Sequence, residues 1–274
     1  MKNILTFDVE DWFEGLDPNP EKWSQYEARV ERSTEKILEI LAQNKTRATF
    51  FFLGYIANRY PDLVRTVYNL GHEVGVHGYF HRFIYRQTRD EFKVEVLRTK
   101  ELLEGITGHT VAGFRAPYFS ITKSTLWALD ILAELGFTYD SSIFPIYNHR
   151  YGIPHAKRNP HRIICTNNLN LVEFPISTFR FLGTNCPFSG GIYFRLLGQG
   201  WISRGIKSLN SQGWPAVVYL HPWEFDPDQP RYTQIPFTLR LRHYYALDKT
   251  AFKIDQLLKK FIFEPMGEFV NEVQ

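Results

Sequence analysis

Cysteine is scarce in this chain: Cys165 and Cys186 are the only two in 274 residues. Two thiols do not make a disulfide framework, so the fold must rest on an apolar core, and a reduced compartment is the simpler expectation. Long apolar runs are missing too. The first one, residues 4–7, stops at Asp8, far short of a signal-peptide core or a membrane span, so a cytoplasmic chain without an integral membrane segment is expected. Charge of one sign is not in excess. The formal net charge of +3 is too small for a nucleic-acid footprint, and no nucleic-acid partner is expected. Basic residues gather only in short stretches such as Leu239-Arg240-Leu241-Arg242, whose alternation reads as a strand with one wet face. Fixed-period repeats and low-complexity linkers are absent as well, which leaves one domain over residues 1–274.

What the chain does have is ordinary globular apolar content and a surplus of aromatics, 16% of residues. Most of these belong in a core, and the remainder is available to line a site. Short β-rich runs alternate with helical patterns through the first two-thirds, the signature of an α/β fold with a parallel sheet. Strands are expected over 3–8, 47–53, 72–76, 110–114, 137–139 and 215–220. Helices are expected over 27–44, 61–70, 89–107, 123–135, 200–212 and 249–261. Between Pro145 and Pro187 the pattern weakens, and residues 145–200 read as loops and a hairpin over the mouth of the sheet. Residues 226–274 read as a C-terminal extension.

In parallel α/β folds functional side chains gather at the carboxyl ends of strands. After the first strand come Asp8, Glu10 and Asp11; after the third, His77 and His81; after the fourth, Arg115 and Tyr118; after the last, His221-Pro222-Trp223-Glu224. Three acids within four residues beside a core call for a compensating cation. Strand alternation puts Asp8 and Glu10 on one face. His77 and His81 have metal-ligand spacing, and with one carboxylate they would leave coordination positions open for water. The spacing alone carries little, since nine histidines generate such a pair by chance in roughly one chain in four. Its position directly after a strand carries more. Arg115, beside an apolar run, needs a carboxylate partner.

Five motifs occur in order: Thr6-Phe7-Asp8, Glu73-Val74-Gly75-Val76-His77 through His81, Phe114-Arg115-Ala116-Pro117-Tyr118, Tyr139-Asp140-Ser141-Ser142, and Leu220-His221. Together they resemble the polysaccharide deacetylase (NodB-homology) family, the fourth family of carbohydrate esterases, and in particular its cytoplasmic, exopolysaccharide-locus branch. The resemblance implies a deformed (β/α) barrel of about seven strands, a bound zinc or similar divalent ion, and hydrolysis of an N-acetyl, less often O-acetyl, group on a carbohydrate. By position Asp8 resembles the family's base, Arg115 the residue that orients it, His221 the general acid, and Tyr118 the residue whose backbone N–H helps hold the oxyanion. His77 and His81 resemble the metal ligands. The family's commonest first motif has two adjacent aspartates, whereas Val9 fills the second place here. Glu10 then becomes the acidic ligand, with Asp11 as the fallback. Asp140 would tune His221. Phe119, Tyr193, Trp223 and Phe225 are candidate sugar-facing aromatics, since sugar rings stack on aromatic faces. Two other readings remain at this stage: a metal-dependent amidohydrolase for a small N-acyl or ureide substrate, and a carbohydrate-binding protein with a vestigial metal site.

Overall fold

The computed structural model describes residues 1–148 and 150–273. Its first strand, β1 (Lys2–Val9), shows how the fold is built. Leu5, Phe7 and Val9 enter the large core beneath the surrounding helices, while Ile4 joins a second core inside the curled sheet and Asp8 opens onto a cavity at its rim. Alternation along one strand thus separates an outer, packed face from an inner face that ends in chemistry.

The chain continues through α1 (Val30–Gln43), β2 (Thr49–Phe52), α2 (Gly54–Arg59), α3 (Pro61–Asn69), β3 (Glu73–Val76) and α4 (Arg89–Thr107). It then passes through β4 (Gly113–Phe114), α5 (Trp127–Glu134) and β5 (Tyr139–Asp140). The less regular stretch holds β6 (His161–Ile164), β7 (Asn170–Glu173), a two-stranded hairpin of β8 (Thr178–Phe181) and β9 (Thr184–Pro187), and α6 (Gly191–Leu196). The last part is α7 (Gln199–Asn210), β10 (Val217–Leu220), α8 (Phe237–Tyr244), α9 (Thr250–Leu258) and β11 (Ile262–Glu264).

Strands run β10-β1-β2-β3-β4-β5-β7 with every pairing parallel; β6 adds antiparallel to β7, and β11 pairs with the start of β1. This α/β architecture, a curled half-barrel, agrees with the deformed barrel expected from the motifs. The final strands are woven into the first: Ile4 faces Val217 across β1 and β10. No described helix is long and apolar enough to cross a membrane.

Local signals explain most element ends. α4 begins in a reciprocal capping box between Thr88 and Glu91, and Pro61 occupies the first turn of α3, where its missing N–H costs nothing. β4 is shorter than the strand expected over 110–114. Gly113 lets the Tyr139 ring pass inside the sheet, where an added Cβ would lie 2.1 Å from the Tyr139 ring. One expectation is overturned. Leu239-Arg240-Leu241-Arg242 is not a strand; it lies within α8, because four alternating residues fit a helix face as readily as a strand.

Candidate active site

The carboxyl ends of β1, β3, β4 and β10 open into one cavity lined by Asp8, Glu10, His77, His81, Tyr118 and His221, among others. Backbone strain is concentrated here. Seven described non-glycine residues adopt positive φ, and three of them, His81 (50°), Tyr118 (56°) and Phe119 (53°), line this cavity. Left-handed backbone costs such residues roughly 1–2 kcal/mol each, so its clustering marks a place where geometry is held at the expense of stability.

Asp8 is fixed from behind. Fully buried Arg115 donates from one terminal nitrogen to Asp8 Oδ1 at 2.7 Å and to Thr6 Oγ1 at 2.6 Å; its other terminal nitrogen donates to Ser141 Oγ and its Nε to the Ser141 carbonyl. The guanidinium also lies 4.5 Å from the Phe51 ring centroid. With Oδ1 engaged, Asp8 Oδ2 remains, 3.9 Å from His221 Nε2.

His77 Nδ1 sits 2.9 Å from the Arg115 carbonyl. A carbonyl can only accept, so Nδ1 carries the proton and Nε2 keeps a free lone pair, the arrangement that orients a ligating imidazole. Burial pushes the His77 ring down to about 4, so it is neutral near pH 7. Glu10 reaches between three side chains: its Oε2 lies 3.0 Å from His81 Nε2, and its Oε1 lies 3.3 Å from His221 Nε2 and 3.4 Å from Trp223 Nε1. Burial disfavours the Glu10 charge, but His81, His221 and His77 outweigh it and hold the carboxyl well below the usual range.

Among the described residues, no three His, Cys, Asp or Glu side chains converge tightly enough to hold a metal ion as they stand. The donors nonetheless fit one in kind. Glu10 Oε2 and His81 Nδ1 are buried without a well-formed hydrogen bond, although Glu10 Oε2 is close to His81 Nε2. A cation seated where Glu10 Oε2 and His81 Nε2 now meet would be held by both, and His77, whose Nε2 keeps its lone pair, lines the same cavity.

His221 ends β10 and is gripped by a residue three positions on. Its Nδ1 lies 2.7 Å from Glu224 Oε1, the same oxygen accepts the His221 backbone N–H, and Glu224 Oε2 accepts from Arg195 Nε at 2.6 Å. Arg195 spends its other donors on the carbonyls of Arg242, His243 and Tyr245, which ties α8 to the site. Burial disfavours a charged imidazole, but the Glu224 hydrogen bond and the charges of Glu10 and Glu224 raise His221 to about 9. Neither Arg195 nor Glu224 is assigned a role by the sequence reading. The His-x-x-Glu spacing across a proline-initiated turn is a usable signal for Glu224; Arg195, 29 residues away on another helix, leaves none.

Other sequence expectations change. Asp11 does not face the cavity; its Oδ1 accepts from Trp12 N and its Oδ2 from Arg29 and Val30 N, so it caps the start of α1. Asp140 does not reach His221. It bonds Ser142 and neighbours Glu173 behind Arg115, and burial raises both carboxyls. Phe225 is core, packed against Phe7. Tyr193 is half-buried and not part of the cavity lining, whereas Phe119 is, at 7% exposure. Trp223 lines the cavity, but its ring is stacked with His221 and His243, so the Nε1 edge is the part that reaches Glu10.

Residues 4–139 match the model of the family described as polysaccharide deacetylase, and residues 141–271 match a domain of unknown function, DUF3473. A peptidoglycan-N-acetylglucosamine deacetylase of Bacillus cereus is 36% identical over 98 residues, 35% of this chain and 36% of that protein. The chain spans about a third of the length of the first curated relatives it matches. Among solved structures, a putative polysaccharide deacetylase from Mycobacterium smegmatis superposes with a TM-score of 0.62 at 22% identity, covering 98% of this chain and 88% of that one. A family-four pseudoenzyme from Bacillus anthracis gives 0.52 at 15% identity, covering 100% and 67%. These likenesses show the shared fold. Over residues 4–139 the chain thus matches the polysaccharide deacetylase family, the NodB-homology, family-four carbohydrate esterases, and the residues that follow complete the same sheet and cavity.

Proposed function

We propose that the chain hydrolyses the N-acetyl group of a sugar, using a divalent ion held by Glu10, His77 and His81. The observation that carries this reading is the facing pair beside those donors: an arginine-held carboxylate and a glutamate-held imidazole, with Asp8 Oδ2 3.9 Å from His221 Nε2. Zinc or a similar ion bound there would polarise the acetyl carbonyl and lower the pKa of water at the site. Asp8, whose Oδ1 is occupied by Arg115, offers Oδ2 to accept a proton from the attacking water. The Tyr118 backbone N–H, at a left-handed position on the rim, would donate to the developing oxyanion. With its pKa raised to about 9, His221 carries a proton on each ring nitrogen near pH 7: Glu224 holds the one at Nδ1, and the one at Nε2 is delivered to the departing amine. Water and amide thus become acetate and a free amine.

Metal analysis followed by acetate release from an N-acetylglucosamine oligomer tests the reading. The chain is expected to bind about one equivalent of zinc, to lose it in His77→Ala, and to lose activity with a chelator. An oligomer bound but never hydrolysed by the metal-loaded chain would favour a carbohydrate-binding role instead.

The acid role of His221 has its own signature. An amine is a poor leaving group and needs a proton, whereas an activated phenol does not. His221→Ala is expected to lower kcat/KM for the N-acetyl sugar by about 10²- to 10⁴-fold and to affect an aryl acetate far less. Equal losses on both substrates would remove His221 from the proton-delivery step.

A further inference from the structure

The cavity holds positive charge that deacetylation does not use. Asp8 closes on Arg115, Glu10 lies against His81 and His221, and Arg195 closes on Glu224. Two further guanidiniums line the same cavity, Arg150 and Arg242, and neither has a carboxylate partner within 4.0 Å among the described residues. Arg150, half-buried, lies 5.1 Å from the Phe83 ring centroid and 5.7 Å from that of Tyr118, whose ring in turn neighbours His81 at 4.2 Å. Arg242 stands in the last turn of α8, and its carbonyl is held by Arg195 at 3.1 Å. Aromatic contact and a helix C-terminus make these positions tolerable for a cation, but neither supplies a counter-charge inside a cavity.

Resting on the deacetylase reading, we propose that this cavity selects N-acetylated sugars carrying an anionic substituent, a carboxylate or a phosphate ester, bound by Arg150 and Arg242. A guanidinium packed against aromatic rings has already lost much of its freedom, and its planar fork matches both kinds of oxyanion. Both arginines lie within residues 141–271, so the region of unknown function takes on substrate selection as well as the anchoring of His221. The anion sits at the rim, and the acetyl group points inward to Asp8 and His221.

The test compares three substrates of the zinc-loaded full chain: a neutral N-acetylglucosamine oligomer, an oligosaccharide containing N-acetylmuramic acid, and N-acetylglucosamine 1-phosphate. At least one anionic substrate is expected to exceed the neutral one in kcat/KM by on the order of tenfold to a hundredfold, as charged hydrogen bonds allow; the better of the two identifies carboxylate or phosphate. That ratio should shrink in R150Q/R242Q. It should also shrink for the unmodified chain between about 0.1 M and about 1 M salt, as the screening length falls from ~10 Å to ~3 Å; this arm stands even if the variant misfolds. Equal rates on all three substrates, or a preference indifferent to salt, overturns the inference while leaving the deacetylase reading intact. If no substrate releases acetate, calorimetric binding of N-acetylglucosamine 1-phosphate against N-acetylglucosamine decides the matter, and equal affinities overturn it.

Discussion

Asp8→Asn is expected to lower turnover of an N-acetyl sugar by about 10²- to 10⁴-fold while leaving metal content unchanged. The amide keeps an oxygen for Arg115 at the position now 2.7 Å from its guanidinium, so the geometry survives and only the basic carboxylate is lost. Arg115→Met removes the other partner and should be worse for stability. It strands the Asp8 charge in a site where both side chains are nearly inaccessible, which costs about 3–5 kcal/mol. Comparing urea unfolding of the two variants with acetate release separates base from orienter. A fully active Asp8→Asn chain would end the assignment.

Glu224→Gln should damage stability and catalysis together. Arg195 and Glu224 are both buried and bonded at 2.6 Å, and breaking such a pair costs about 3–5 kcal/mol. Burial works against the Glu224 charge, but Arg195 and His221 outweigh it and depress its folded-state pKa. A depressed carboxyl stabilises the fold above its unfolded pKa of about 4.3 and loses that contribution as pH falls toward and below the folded value. The stability gap between the native chain and Glu224→Gln should therefore be full near pH 7 and shrink below about pH 4. A gap that stays constant with pH would mean the charge of Glu224 is not what matters. Replacing both partners by apolar residues, Arg195→Met with Glu224→Leu, should cost less than either single change, because no buried charge is then left alone.

The sequence made strand-end chemistry legible because each apolar run stops abruptly at an ionisable residue: Phe7 before Asp8, Val76 before His77, Leu220 before His221. The alternation that puts Asp8 and Glu10 on one face is likewise visible without coordinates. What stayed hidden depends on distance along the chain. Arg195 reaches Glu224 only because α6 and the turn after β10 meet in space. Asp11 looks as acidic and as well placed as Glu10, and only the approach of Arg29 and Val30 N–H groups shows it to be a helix cap. Aromatic residues are the least legible. Trp223 and Phe225 are two positions apart in one turn, yet one edges the cavity and the other fills the core against Phe7.

The pairing of β1 with β10 also bears on how the chain comes into being. Asn3 accepts a hydrogen bond from Ala216 N across 213 residues, and Lys2–Ile4 pair with β11 at Ile262–Glu264. At a synthesis rate of about 5–20 residues per second, β1 waits on the order of ten to forty seconds with one edge bare. That edge displays Ile4, Leu5 and Phe7, the composition from which neighbouring nascent chains associate. β1 is thus among the last strands to be completed, and a ribosome that stops after residue 139 releases a sheet in which β1 is left as an open edge.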